Sequence, residues 1–249
     1  MKRFAALTLA FAITVAGVPP VYGLTGEEIL DRAVEALSPS VGVQSTQSMM
    51  ITTARGATQR RRLEYYRLGS EMVLLRFLAP ADIRGVAVLV DSQDRDDDLI
   101  YLYMPAFRRE RRIASHVKNE EFMGTGFTYE DIAELDYSDR YRVDSWSETT
   151  EGYRLNLQPK RGDVSYSRVV LEIEKESFLP TRTELYQGTR PVKTLTNEQI
   201  TRHQGYWIPM KLTLENHDSG RKTVMEVETV EHGGLDESIF TVRSLRRFR

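Results

Sequence analysis

"SRVVLEIE" (Ser167–Glu174) and "WIPMKLTLE" (Trp207–Glu215) carry the pattern that decides the fold. Leu171, Glu172, Ile173 and Glu174 alternate apolar and polar, and so do Leu212, Thr213, Leu214 and Glu215. Successive side chains of an extended chain point to opposite faces. Such alternation therefore describes a strand that is wet on one side and covered on the other. The pattern recurs along most of the chain. "VQSTQSMMITT", "QRRRLEYYRL", "EMVLLRFL", "VAVLV", "DLIYLYM", "YRVDSW", "YRLNLQP", "TRTELYQ", "TLTNEQI" and "KTVMEVETV" are short, rich in Val, Ile, Tyr and Thr, and separated by turn residues. Turn signals stand at Gly56, "DSQDRDDD" (Asp91–Asp98), Gly152, "KRGD", Gly188, "NHDSG" and "HGG". Roughly ten to twelve strands at hairpin spacing predict an antiparallel meander that curls into a barrel or half-barrel.

Only two helices are expected, near residues 26–37 and 128–136. In the first, Thr25 and Glu28 form a capping-box pair, and Ile29, Leu30, Ala33, Val34 and Leu37 make one apolar stripe that Pro39 ends. Two short helices cover the apolar face of so wide a sheet incompletely. Either large side chains fill the interior or a cavity remains.

The N-terminus sets the compartment. Met1, Lys2 and Arg3 are followed by an uncharged apolar run, Phe4 to Val18, then by Pro19, Pro20 and Val21-Tyr22-Gly23. This is the pattern of a secretory signal peptide cleaved after Gly23, and the run is short of the about 20 residues a membrane span needs. The expected organisation is a leader, 1–23, and one domain, 24–249, exported to the periplasm. Dropping Lys2 and Arg3 from the 34 basic residues leaves 32 against 36 acidic ones, a net charge of about −4. That balance excludes a generally basic nucleic-acid surface. With no cysteine in the chain, disulfides, thiolate metal sites, cysteine nucleophiles and a lipid anchor on cysteine are all excluded.

Catalytic and metal patterns fail on spacing. "DSQDRDDD" lacks the glycine and glutamate of a calcium loop and reads as an acidic hairpin turn. His116, His203, His217 and His232 have no zinc-binding spacing, and no GxSxG elbow occurs. Gly124 and Gly126 do not make a phosphate-binding fingerprint. Glu130 and Asp131 fall in the first turn of the second helix, where carboxylates suit the dipole. No catalytic residue, cofactor or metal is assigned.

Arg108, Arg109, Arg111 and Arg112 follow the strand ending at Met104-Pro105. As an antiparallel partner strand, this run places Arg109 and Arg111 on one face and Arg108, Glu110 and Arg112 on the other. The pair at the cavity rim clamps an anionic headgroup or an acidic partner; alternatively the run is a solvated strand balanced by Asp94–Asp98.

"YLYMPAFRRERRI", "FMGTGFTYEDI" and the C-terminal "LDESIFTVRSL" carry a family resemblance. The chain resembles the outer-membrane lipoprotein-sorting (LolA/LolB-like) superfamily, in a less characterised periplasmic branch, from the first helix to the last strand. The resemblance implies an unclosed antiparallel β-barrel lidded by helices over an apolar cavity that holds acyl chains, with no enzymatic residues. Members often carry an acidic residue just before the Phe of the FTYED element, where this chain has Gly126.

The reading that follows is a non-enzymatic periplasmic carrier for a lipid or lipoprotein acyl chain, working with a membrane transporter or a lipoprotein. Tyr101, Tyr103, Met104, Phe107, Phe122, Phe127, Tyr129 and Trp207 are the expected cavity walls, and Arg109 and Arg111 meet the headgroup. The alternative is an envelope interaction protein, accessory to a transport or assembly complex, whose concave face is filled by its own side chains.

Overall fold

The computed structural model describes residues 23–92, 98–133, 136–162 and 164–246. The expected leader, but for Gly23, and the acidic turn, but for its ends, lie outside the described residues. Thirteen strands make one antiparallel sheet: β1 Gly42–Thr52, β2 Thr58–Leu68, β3 Met72–Ala79, β4 Ala87–Asp91, β5 Leu99–Met104, β6 Arg109–Arg112, β7 Tyr141–Glu148, β8 Gly152–Pro159, β9 Arg168–Glu174, β10 Pro180–Gln187, β11 Arg190–His203, β12 Tyr206–Asn216 and β13 Arg221–Gly233. Their order is β6-β5-β4-β3-β2-β1-β13-β12-β11-β10-β9-β8-β7. Two meanders are thus joined by the pairing of β1 with β13, and β6 and β7 are the sheet's two ends. The arginine run is β6, the strand beyond the expected count. "HGG" ends β13 and joins no hairpin.

The chain crosses from β6 to β7 over the concave face, and residues 113–133 and 136–140 form one lid. It contains α2 (Tyr129–Ala133) and α3 (Tyr137–Arg140). The expected helix over 128–136 is therefore shorter, and a further short helix follows it. The other lid is α1 (Gly26–Leu37). Its capping box is present, with the Glu28 N–H donating to Thr25 Oγ1 at 3.2 Å and the Thr25 N–H to Glu28 Oε2 at 2.7 Å. Ile29, Leu30 and Ala33 are buried, as the stripe requires.

The concave face carries two separate cores. One joins the lid to β1–β6 through Leu63, Phe77, Val88, Ile100 and Phe122. The other joins α1 and α3 to β7–β11 through Ile29, Leu30, Tyr141, Leu155 and Leu171. A third cluster lies on the convex face. There Phe240, just after a short 3-10 turn at Glu237–Ile239, and Leu245, within a second at Val242–Arg246, cover Met72, Leu74, Ala87 and Leu89. Strands β3 and β4 are consequently buried on both faces, which explains why both are apolar throughout except for Arg76 and the terminal Asp91. Arg76, on that covered face, donates from Nη2 to the Ser244 carbonyl at 2.9 Å.

Candidate functional site

Directly opposed residues of β2, β1 and β13 form rows across the centre of the concave face: Arg67–Val43–His232, Tyr65–Ser45–Val230, Leu63–Gln47–Val227 and Arg61–Met49–Met225. A register shift at Thr46/Gln47 turns both Val227 and Val230 inward. The first core takes in Leu63 and Met49 of these rows, the second lies on β7–β11, and the space between them is not filled. It is a cavity of about 290 Å³, at the lower end of ligand-pocket size. At about 30 Å³ per water-sized group, it takes a chain of roughly ten such groups. Its walls are Val43, Met49, Tyr65, Leu212, Met225 and Val227 on the sheet side, Phe122, Phe127 and Ile132 from the lid, and Leu37 and Pro39 at the end of α1.

Polar ties hold the lid above this space. At one end, Thr223 Oγ1 donates to the Thr125 carbonyl at 2.7 Å, and Arg61 Nη2 to the Met123 carbonyl at 2.8 Å. Arg221 grips Glu121, with Nη1 2.6 Å from Oε2, and Glu121 also accepts the Gly126 N–H at 2.6 Å. Gly126 has a φ of +82°, and a Cβ there meets Leu214 Cδ2 at 3.1 Å. The backbone thus selects glycine at this position. On the β11 side, Thr128 and Asp131 cap α2 reciprocally. Asp131 pairs with Lys193 of β11 and accepts the Tyr166 hydroxyl, while Lys193 Nζ lies 2.8 Å from Tyr166 Oη. Glu130 accepts the Ser165 N–H at 3.0 Å. The two carboxylates pin the helix to different segments, Asp131 to β11 and Glu130 to the connection before β9. A lid fixed at this height does not settle into the gap beneath it.

The cavity reaches a split in the sheet. Pairing of β12 with β13 stops at Lys211–Glu226. Beyond that, β12 pairs only with β11, and β13 only with β1. Trp207, Ile208 and Pro209 on one lip, and Val227, Val230 and His232 on the other, all line the cavity. The hairpin tip is fastened across the split: Gln204 Oε1 accepts the His232 N–H at 2.7 Å, and the Tyr206 ring stacks on His232 at 4.7 Å.

Of the residues singled out in the sequence, Phe122, Phe127 and Trp207 line the cavity. Tyr129 stands behind Phe122, ring centroids 5.5 Å apart, in the first core. Burial pushes its hydroxyl pKa up, against the opposing charge of Arg111. Met104 packs on the same core. Tyr101 and Tyr103 face the other way, into the convex cluster. Phe107 is 66% exposed in the β5–β6 turn. Arg109 and Arg111 are exposed on β6, opposite Met104 and Leu102 on the concave side, at the sheet's end and apart from the cavity lining. Glu110, on the reverse side, binds Arg246. Asp98, which closes the acidic turn, pairs with Arg140 and Lys118 and not with β6. Sequence reasoning missed Arg67, His232 and the inward side chains of β1 and β13.

Electrostatically the Arg67 end is distinct. Burial lowers the pKa of Arg67 and raises that of the neighbouring Tyr65 hydroxyl. Burial also lowers the pKa of His232, aided by His203 and Arg67.

An unclosed sheet with lids on its concave face and a largely apolar cavity beneath them defines a LolA-like fold. The structure matches a DUF1329 family protein from Desulfovibrio piger (TM-score 0.80, 28% identity, 88% of this chain and 97% of that one). It also matches a putative outer membrane lipoprotein-sorting protein domain from Vibrio parahaemolyticus (TM-score 0.76, 26% identity, 89% and 98%). The fold alone is shared with a LolA superfamily protein from Nitrosomonas europaea (TM-score 0.72, 21% identity, 89% and 100%). A family model described as "Uncharacterized protein" matches residues 69–247, and the chain belongs to that family. No protein of curated function matches it.

Proposed function

We propose that the protein is a non-enzymatic periplasmic carrier for a hydrophobic ligand, a lipid or a lipoprotein acyl chain. In this reading residues 1–23 are a cleaved leader and 24–249 one exported domain. The observation that carries it is the cavity between the two packed cores. A concave face filled by its own side chains, as the accessory-protein alternative needs, has no such space. A fold relative named for lipoprotein sorting supports the same reading. Among the described residues no helix is long and apolar enough to cross a membrane.

The mechanism is partition. Each buried methylene contributes about 0.8 kcal/mol, so a chain of about ten gains roughly 8 kcal/mol before association and ordering costs. Loading and release require movement at the lid or at the β12–β13 split, and a membrane transporter or a lipoprotein is the partner that receives or delivers the cargo. The test is organic extraction of protein purified from the periplasm, followed by mass spectrometry of the extract. A reproducible, stoichiometric aliphatic species is expected. Repeated extracts free of any lipid, with no uptake of an added fatty acid, overturn the proposal.

A further inference from the structure

The cavity has a polar end whose donors are incompletely satisfied. Arg67 and His232 stand on the same face, in one row, with only Val43 between them. Their Cα atoms are thus two strand spacings apart, about 10 Å, and both side chains line the cavity. Arg67 Nε and both ring nitrogens of His232 are buried and, among the described residues, have no hydrogen-bond partner. His203, its ring 5.9 Å from that of His232, adds a buried, unpartnered Nδ1. The guanidinium's contact with the end of α1 is long: Arg67 Nη1 to Ser38 Oγ at 3.4 Å.

Buried donors left without acceptors are costly, and native structures carry few. Here several converge on one end of one cavity. No carboxylate in the lining neutralises them. Asp131, its acidic member, is held by Lys193, which sits opposite Asn216, towards the other end of the rows. Of the polar groups in the middle rows, Gln47 Nε2 donates to Ser45 Oγ at 2.9 Å, and the Tyr65 hydroxyl is hydrogen-bonded to the Arg67 guanidinium, whose Nε stays without a partner. Beyond them the lining is Met49, Met225, Leu212 and Phe122. The interior is therefore shaped chemically like an amphiphile, with a cationic end and an apolar length.

We propose that Arg67 and His232, with His203 behind them, form a headgroup subsite for the acid group of an anionic single-chain amphiphile, a carboxylate or a phosphate monoester. The tail lies along the rows towards Met49 and Met225. The guanidinium fork and an imidazole N–H supply donors to the acid oxygens. The nearby β12–β13 split, which His232 borders, is the route by which the headgroup enters last or leaves first. This proposal rests on the carrier reading and specifies its ligand.

The experiment is calorimetric titration of the mature chain at neutral pH with laurate, monododecyl phosphate, 1-dodecanol and inorganic phosphate. Both dodecyl acids are expected to bind at least about tenfold more tightly than dodecanol, the increment of a charge-assisted hydrogen bond. Arg67→Met is expected to reduce both acids to the level of dodecanol while leaving dodecanol itself within about twofold. Arg67→Lys, which keeps the charge, retains part of the preference, and His232→Asn supplies the same comparison should Arg67→Met not fold. Equal affinities for acids and alcohol in the unaltered protein, or an acid preference that survives Arg67→Met, overturn the headgroup subsite and leave the carrier reading intact. Inorganic phosphate binding as tightly as dodecyl phosphate overturns it in favour of a free-anion site. Absence of binding by every dodecyl compound removes the carrier reading as well. The ratio of laurate to dodecyl phosphate assigns the acid as carboxylate or phosphate.

Discussion

Asp131 of the lid and Lys193 of β11 form an ion pair in which each side chain is only 6% exposed, and the Tyr166 hydroxyl contacts both. This contact crosses between the two halves of the structure. α2 belongs to the core over β1–β6, whereas Lys193 and Tyr166 belong to the half built on β7–β11. The pair holds the lid at the height that leaves the cavity open.

Removing one partner of a buried pair strands the other charge. Lys193→Met is expected to cost roughly 3–5 kcal/mol of stability, read as a lower urea midpoint at unchanged slope. It should also speed the exchange of a bound fatty acid, because the lid has lost its anchor to β11. A loss of stability below about 1 kcal/mol, typical of an exposed pair, would remove the latch from the account.

Gly126 tests the turn that leads into the FTYED helix. With φ at +82° and Leu214 Cδ2 only 3.1 Å from where an alanine methyl would stand, Gly126→Ala is expected to destabilise the fold by about 1–2 kcal/mol. Gly56→Ala, at a φ of +81° with nothing within 4 Å, serves as the control for strain alone. A larger loss at Gly126 than at Gly56 isolates the contact with Leu214; equal losses contradict it.

The depressed pKa of His232 makes stability depend on pH in a defined direction. Its folded value lies below the ordinary 6.5, so in the window between the two the unfolded chain binds the extra proton. Stability therefore falls as pH drops below about 6.5 and is unaffected by this group above it. Carboxylates held low by hydrogen bonds, such as Glu28 and Asp236, act in a separate and more acidic window. Unfolding titrations at pH 5.5 and 7.5 are expected to show the loss, and His232→Asn to reduce it. An identical pH dependence in that variant would contradict the assignment.

Trp207 reports on the cavity directly. It lines the space, whereas Trp146 is 41% exposed. In Trp146→Phe, a brominated fatty acid is expected to quench the remaining emission saturably. In Trp207→Phe the quenching of Trp146 should be slight. Equal quenching in both variants would place the ligand elsewhere.

Strand character was enough to locate the β-strands from the sequence, β6 as the extended arginine run, because hairpins with one wet face leave a period of two that burial does not erase. "EMVLLRFL" and "VAVLV" break that period, and their consecutive apolar residues are the mark of the C-terminal cover on the convex face. The cavity lining was harder to read. The aromatic strand from Tyr101 to Met104 lies towards the outer end of the sheet, where the lid already fills the concave side and the 3-10 turns claim the tyrosines. Its chemistry was conspicuous but its place depended on strand order, which alternation leaves open. Arg67 and His232 were legible only as inward positions of β2 and β13. Their meeting follows from the pairing of β1 with β13, the longest-range contact in the sheet, and no local pattern announces it.

The central claim is that the space beneath the lids holds an acyl chain. It is tested most directly by filling that space from within, with Val227→Trp, and measuring uptake of a fluorescent twelve-carbon fatty acid. The account predicts a folded variant, with cooperative unfolding retained, that has lost uptake while the unaltered protein takes up one equivalent. Undiminished uptake by the folded, filled variant would contradict it.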